Sequence, residues 1–302
     1  MFGRSRVLVA VTALTAAAAM TLSACSSSGG SGSGNKGGSS GLPSVGKDAS
    51  IAAGVPSSIA SKGTLQIGVD ATYAPNEYKD ANDHIVGFDI DLFNAVAAVL
   101  GLKANYVASN FDNIIPGIVG GKYDVGVSSF TDNTEREKQV DFVTYYSAGI
   151  QFVGPKGSSF DPDNACGKKV AVQAATIELT DLQTRSKACT DAGKSAINIQ
   201  QFTAQGDATT AVTLGKVQAM SADYPVSVDA VNKSGGKLQL VGKTNFAAAP
   251  YGYAVAKGSP LEKPLQSAVQ KLIDDGSYNT ICKKWGLTGG EISTSQINGA
   301  TS

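Results

Sequence analysis

Residues 128–142 read Ser-Ser-Phe-Thr-Asp-Asn-Thr-Glu-Arg-Glu-Lys-Gln-Val-Asp-Phe. Ser128, Ser129 and Thr131 precede a lone arginine, Arg136. Hydroxyls donate single hydrogen bonds, and a guanidinium presents a planar fork of N–H groups that fits both oxygens of a carboxylate. The chemistry this grouping suits is capture of a carboxylate. The same residue types also serve in a solvated loop that opens an exposed helix, so the surrounding elements must separate the two uses. Other chemistries find little support. The chain has one histidine, His84, in a polar turn that favours a solvated ring, which leaves no Ser-His-Asp or Cys-His arrangement. No glycine-rich phosphate loop is present. The cysteines lack zinc spacing, and neither metal nor cofactor is expected.

The elements that would hold these residues alternate. From about Lys62, strand patterns over 64–69, 85–88, 103–108 and 122–127 are separated by helical ones. Asp89 is a fair N-cap for a helix closed by Gly101, and 111–119 forms a shorter helix ended by Gly120 and Gly121. A second set follows, with strands over 168–173, 197–202, 217–221 and 238–241 and helices over 176–187, 207–214 and 225–231. A strand over 251–256 and helices over 261–275 and 278–285 complete the pattern. Such alternation implies parallel sheets with covered faces, and two sets imply two lobes. Ligands of open α/β sheets sit beyond the carboxyl ends of the strands. Both 128–136 and Gln173-Ala174-Ala175-Thr176 stand at such ends, one in each lobe. Two crossings, at 151–154 and 247–252, would form a hinge.

The ends of the chain point to a compartment. Arg4 and Arg6 precede an apolar run over 7–20, about the length of a signal-peptide core and short of the roughly 20 residues that span a bilayer. It ends in Leu-Ser-Ala before Cys25, which resembles a bacterial lipobox and implies lipidation of that cysteine. Gly and Ser dominate the next residues, a composition that buries no apolar surface and behaves as a tether. The chain carries 25 basic and 25 acidic residues, and loss of residues 1–24 leaves 23 against 25. This near-neutral balance has no basic patch to suggest nucleic acid. Cys166 and Cys189 flank a strand–helix unit and can pair in an oxidising compartment, whereas Cys282 lies among Tyr278, Ile281 and Trp285 as a buried thiol.

The order and spacing of several short motifs resemble the extracellular solute-binding proteins of family 3, which serve ABC importers of polar amino acids. The motifs are Gly-Val-Asp-Ala-Thr-Tyr-Ala-Pro at 68–75, Ile-Val-Gly-Phe-Asp-Ile-Asp-Leu at 85–92, and Phe-Asp-Asn-Ile-Ile-Pro-Gly at 111–117. They continue with Gly-Lys-Tyr-Asp at 121–124, the Thr134–Phe142 segment, Tyr278, and Lys-Trp-Gly-Leu at 284–287. The resemblance covers roughly residues 60–288. It implies an α/β, two-lobed periplasmic-binding fold of type II with two hinge strands. The expected division is a lipoprotein signal peptide (1–24), a lipidated cysteine and tether (25–60), lobe 1 (61–150 with 252–290), lobe 2 (151–251) and a disordered tail (291–302). The implied ligand is a free amino acid. Arg136 and Thr131 would hold its carboxylate, with Thr176 donating from the start of a lobe 2 helix. Asp223 would take the ammonium with help from Ser129, Tyr73 and Phe111 would flank the side chain, and Asp70 would meet its polar end. The resemblance further implies a monomer, anchored by lipid outside the cytoplasmic membrane, that delivers its ligand to a membrane permease.

Several residues depart from the family pattern. Ala174-Ala175-Thr176 replaces a more usual Gly-Thr-Thr or Gly-Thr-Ser, Asn76 replaces an aromatic, and Asp132 stands where an apolar residue is common. Asp132 would lie either outside the cleft or as an added negative charge beside it. No second cation occurs among the matched contacts, so an acidic ligand is disfavoured, and Asp70 suits a polar or basic one. The same fold also hosts dehydratases of amino-acid-like prephenate derivatives. Glu178 is the nearest candidate acid, but its spacing faces it along a helix. A sensor domain of a membrane receptor would need a transmembrane or kinase segment that the sequence lacks.

Overall fold

A computed structural model describes residues 41–300, so the expected signal peptide and Cys25 lie outside the described residues. Strands β1 (Thr64–Val69), β2 (Thr72–Tyr73), β3 (Glu77–Lys79), β4 (Ile85–Val86), β5 (Lys103–Ala108) and β6 (Val125–Gly126) belong to the first half. β7 (Val140–Pro155) leads into β8 (Lys169–Gln173), β9 (Asn198–Phe202) and β10 (Ala219–Asp223), and β11 (Leu238–Ala256) leads back. The main sheet runs β5-β1-β6-β11-β7-β10-β8-β9, and β2-β3-β4 forms a small second sheet. β1 pairs in parallel with β5 and β6, as β8 does with β9 and β10. Parallel pairing needs helical crossovers, which is why strand and helix patterns alternate in the sequence.

Helices α1 (Ala49–Ala52), α2 (Ser57–Ala60), α3 (Phe88–Leu100) and α4 (Ile114–Val119) precede β7. α5 (Ile177–Asp191), α6 (Gln205–Thr213) and α7 (Tyr224–Lys233) follow β8, β9 and β10, and α8 (Glu262–Asp274) and α9 (Ser277–Trp285) close the fold. One apolar cluster joins Leu65, Ile67, Phe93, Leu265 and Ile281 in lobe 1, and others gather Phe152, Val170 and Leu182, and Ala171, Val212 and Met220, in lobe 2. Cys166 and Cys189 are bonded, with Cα atoms 5.5 Å apart. The Cys282 thiol is pushed up to about 12 by burial.

β7 and β11 pair antiparallel across both lobes, from Val140 with Ala256 to Pro155 with Leu238. The expected strands 238–241 and 251–256 are thus parts of one continuous strand. Its register shifts between Val241 and Phe246, between Phe246 and Ala249, and between Tyr251 and Gly252. These irregularities hid the strand in the sequence and make the crossing a hinge. Gly149 permits the close approach there, since a Cβ at that position would stand 2.3 Å from the Phe246 carbonyl oxygen.

Three boundaries differ from expectation. The N-cap of α3 is Gly87, and Asp89 is instead a buried first-turn residue. The stretch expected as tether up to residue 60 is ordered in its second part, where Asp48 caps α1 and Val55 and Ile59 join the lobe 1 core. The expected disordered tail packs as a strap through residue 300. Thr144 donates to the Gln296 carbonyl, Ser295 Oγ to the Thr144 carbonyl, and the Phe142 amide to Asn298 Oδ1. Its polar composition reads as disorder because it is held mostly through hydrogen bonds, with only Ile292 and Ile297 packed on the lobe 1 core, too few to show an apolar period.

Candidate functional site

The carboxyl ends of β1, β8 and β10 meet the loop 128–136 at one cleft. Asp70, Tyr73, Glu77, Phe111, Ser128, Ser129, Thr131, Arg136, Gln173, Thr176 and Asp223 line it around a cavity of about 10 Å³. The eight residues expected at the site, Arg136, Asp223, Thr131, Ser129, Thr176, Tyr73, Phe111 and Asp70, are all among them.

The lobes touch across this cleft. Tyr73 OH donates to Asp223 Oδ2 at 2.8 Å, and Gln173 Nε2 donates to Asp70 Oδ2. Arg136 Nη2 donates to the Ala175 carbonyl at 3.1 Å, while its Nη1 donates to the Thr131 carbonyl at 2.8 Å. The Gln205 amide reaches Thr72 Oγ1 at 3.2 Å. Held in this way, the cleft is shut to anything much larger than a water molecule. The Arg136 guanidinium sits 5.4 Å from the Phe111 ring and 5.6 Å from the Phe130 ring, which stack on each other at 4.6 Å. Burial pulls the Arg136 pKa down, and the neighbouring carboxyls of Glu178 and Asp223 oppose that pull. The Ala175 backbone has φ +62°, a costly conformation for a residue with a Cβ, and it aims the carbonyl at Arg136.

Two hydroxyls differ in use from expectation. Thr176 Oγ1 donates to the Gln173 carbonyl and accepts from the Leu179 amide, so it serves first as the cap of α5. Ser129 Oγ donates to Glu77 Oε2 at 3.0 Å and accepts from Asn76 Nδ2, turned away from Asp223. Asn76 is therefore a buried polar partner where the family has an aromatic. Asp132 does not line the cleft: its Oδ2 accepts from the Gly299 amide in the strap. Its pKa is raised to about 7 by burial and by Glu137.

Sequence reasoning did not find Glu77. It is fully buried beside Asp89, accepts from Ser128 and Ser129, and lines the cleft near Asp70. Burial, then the Asp89 charge, raises it well above the ordinary range, and burial raises Asp89 to about 6. A carboxylate two residues past Pro75 in a short strand reads as solvated, and only the tertiary pairing distinguishes it. Glu178 was expected to face along its helix and instead turns inward, buried behind Asp223. Asp223 is raised to about 6, by burial against hydrogen-bonding and the Arg136 charge. Among the lining residues the acids are Asp70, Glu77 and Asp223, with Glu77 pushed toward its neutral form, and the one cation is Arg136.

Two α/β lobes joined by paired hinge strands, with a polar cleft between them, define a solute-binding receptor. Residues 65–288 match the bacterial extracellular solute-binding proteins, family 3, and the chain belongs to that family. It is 38% identical over 251 residues to the arginine-binding protein ArgT of Corynebacterium glutamicum, covering 82% of each chain. Its fold matches the structure of an ancestral arginine-binding protein bound to arginine, with TM-score 0.68 and 36% identity over 74% of this chain and 98% of that one. It also matches an ancestral amino acid-binding protein, AncCDT-1, a precursor of cyclohexadienyl dehydratase, with TM-score 0.67 and 32% identity over 76% and 97% of the two chains. These relatives are named as binding proteins, not as enzymes. Among the described residues no helix is long and apolar enough to cross a membrane.

Proposed function

We propose that this protein binds a free basic amino acid, arginine first, between its lobes and delivers it to the permease of an ABC importer. The observation that carries the reading is the charge of the cleft. An amino acid's α-carboxylate pairs with Arg136 and its α-ammonium with Asp223. That leaves Asp70 facing the side chain with no cation among the lining residues, beside the Glu77 carboxyl, which burial and the Asp89 charge push toward its neutral form. A guanidinium or ammonium supplies the missing charge, and an acidic side chain would be repelled.

In this reading ligand groups take over contacts that now join the lobes. The carboxylate replaces the Thr131 and Ala175 carbonyls at Arg136, and the ammonium replaces the Tyr73 hydroxyl at Asp223. The Phe111 ring then lies against the ligand's aliphatic stem, with Tyr73 on the other side. Charge-assisted hydrogen bonds contribute about 1.5–3 kcal/mol each, enough in combination for micromolar affinity near −8 kcal/mol. Lipidation of Cys25 and the Gly/Ser tether that follows would hold the domain outside the membrane, within reach of a permease. The arginine named in relatives supports the choice of ligand.

The test is a thermal-shift panel of free amino acids on ligand-stripped protein. Arginine at 100 times its dissociation constant adds about 2.7 kcal/mol of stability. The expected result is a rise with arginine and a lesser one with lysine. A rise with glutamate or aspartate alone would overturn the charge argument.

A further inference from the structure

Glu178 lies in the first turn of α5, is 2% exposed, and does not line the cleft. Its carboxyl faces that of Asp223. Glu178 Oε1 and Asp223 Oδ1 are both buried, and neither meets a hydrogen-bond donor among the described residues. Of the donors nearby, Tyr73 and Arg136 are directed elsewhere. Tyr73 OH bonds Asp223 Oδ2, and Arg136 bonds the Thr131 and Ala175 carbonyls. Two buried acceptors that face each other lack one donor between them, and a single proton satisfies both.

We infer that Glu178 is a positioning residue: it stays protonated, donates to Asp223 Oδ1, and holds Asp223 as a single negative charge aimed at the ligand's ammonium. This rests on the amino-acid reading above. Charge counting in the closed cleft supports it. Arg136 with the ligand carboxylate, and Asp223 with the ligand ammonium, already cancel. An ionised Glu178 would leave one uncompensated charge in a buried site. The groups that face the pair are Arg136 and Tyr73 from lobe 1 and Tyr251 from β11. Burial raises both carboxyls, but Asp223 accepts from the Tyr73 hydroxyl and lines the cleft with Arg136, which favours its ionised form, whereas Glu178 lies behind it, so the proton belongs to Glu178. The rival donor is the Tyr251 hydroxyl, which lies near Asp223 and is also without a hydrogen-bond partner.

The test pairs a ligand-free measurement with a binding one. Infrared difference spectra at neutral pH compare the protein with its E178Q variant, and L-arginine is titrated into the parent, E178Q and E178A. The expected spectrum contains a protonated-carboxyl carbonyl band that E178Q loses. E178Q, whose amide can still donate to Asp223, keeps L-arginine affinity within about threefold, and E178A weakens it about tenfold or more. Absence of the band would overturn the inference and assign the donor to Tyr251. Loss in E178Q as large as in E178A would overturn it too. If the parent binds no L-arginine, the functional reading fails separately, and the infrared band still decides where the proton resides.

Discussion

Arg136 combines three restraints on one side chain. Two carbonyls, Thr131 and Ala175, accept from its fork, and the stacked pair of Phe111 and Phe130 supports its plane. Such a guanidinium is pre-organised, so little rotamer freedom is lost when a carboxylate replaces the carbonyls. An Arg136→Ala variant is expected to stay folded and to lose about 2–4 kcal/mol of ligand affinity, read by calorimetric titration. In this account Asp70 sets selectivity rather than grip. Asp70→Asn should bring arginine and glutamine affinities closer by about tenfold; an unchanged ratio would remove Asp70 from side-chain recognition. Arg136, Asp223 and Asp70 were legible in the sequence because their motifs tie a residue type to a strand end. Glu77, Asp89 and Glu178 were not, because a buried carboxyl pair is a product of packing between segments far apart in the chain. Ser129 was placed in the right cleft with the wrong partner for the same reason.

At the scale of elements, the strap after α9 matters most. It fastens Phe142 and Thr144 of β7 and reaches Asp132, one residue from Thr131. Removal of residues 291–302 is expected to cost at least about 2 kcal/mol of stability, since it strips several hydrogen bonds of about 1 kcal/mol each from β7 and uncovers the core surface on which Ile292 and Ile297 pack. Ligand affinity should fall as well, because the loop bearing Thr131 and Arg136 loses its support. Urea unfolding and calorimetry on the truncated chain check both; an unchanged midpoint would show the strap to be passive. The helices were read well from periodicity, and α5 and α8 lie within a few residues of expectation. β11 was read as two pieces because its bulged centre breaks the period of two, and only its pairing with β7 shows the continuity.

For the molecule as a whole, buried acids set the response to pH. Asp89 and Asp223 reach about 6 and Asp132 about 7, each raised first by burial. Between about pH 4 and 7 the folded protein therefore holds protons that the unfolded chain has released, and stability falls as pH rises through that window. Asp141 acts in the opposite sense. Burial pushes its pKa up, but Asn298, Lys257 and the Gly258 amide hold it down to about 2, so its contribution is lost as pH falls below about 4. The ligand-free protein should then show its highest unfolding temperature near pH 4–5 and a decline toward pH 8. A midpoint that rises over pH 5–8 would contradict the burial of these acids.

The most direct test of the central claim is a calorimetric comparison of L-arginine with L-citrulline, its neutral near-isostere, on the ligand-stripped protein. Both would present the same α-carboxylate and α-ammonium to Arg136 and Asp223, and they differ at the end proposed to meet Asp70. The account predicts micromolar arginine binding and citrulline weaker by at least about tenfold. Equal affinities, or tighter binding of citrulline, would show that the acidic end of the cleft does not select a cation.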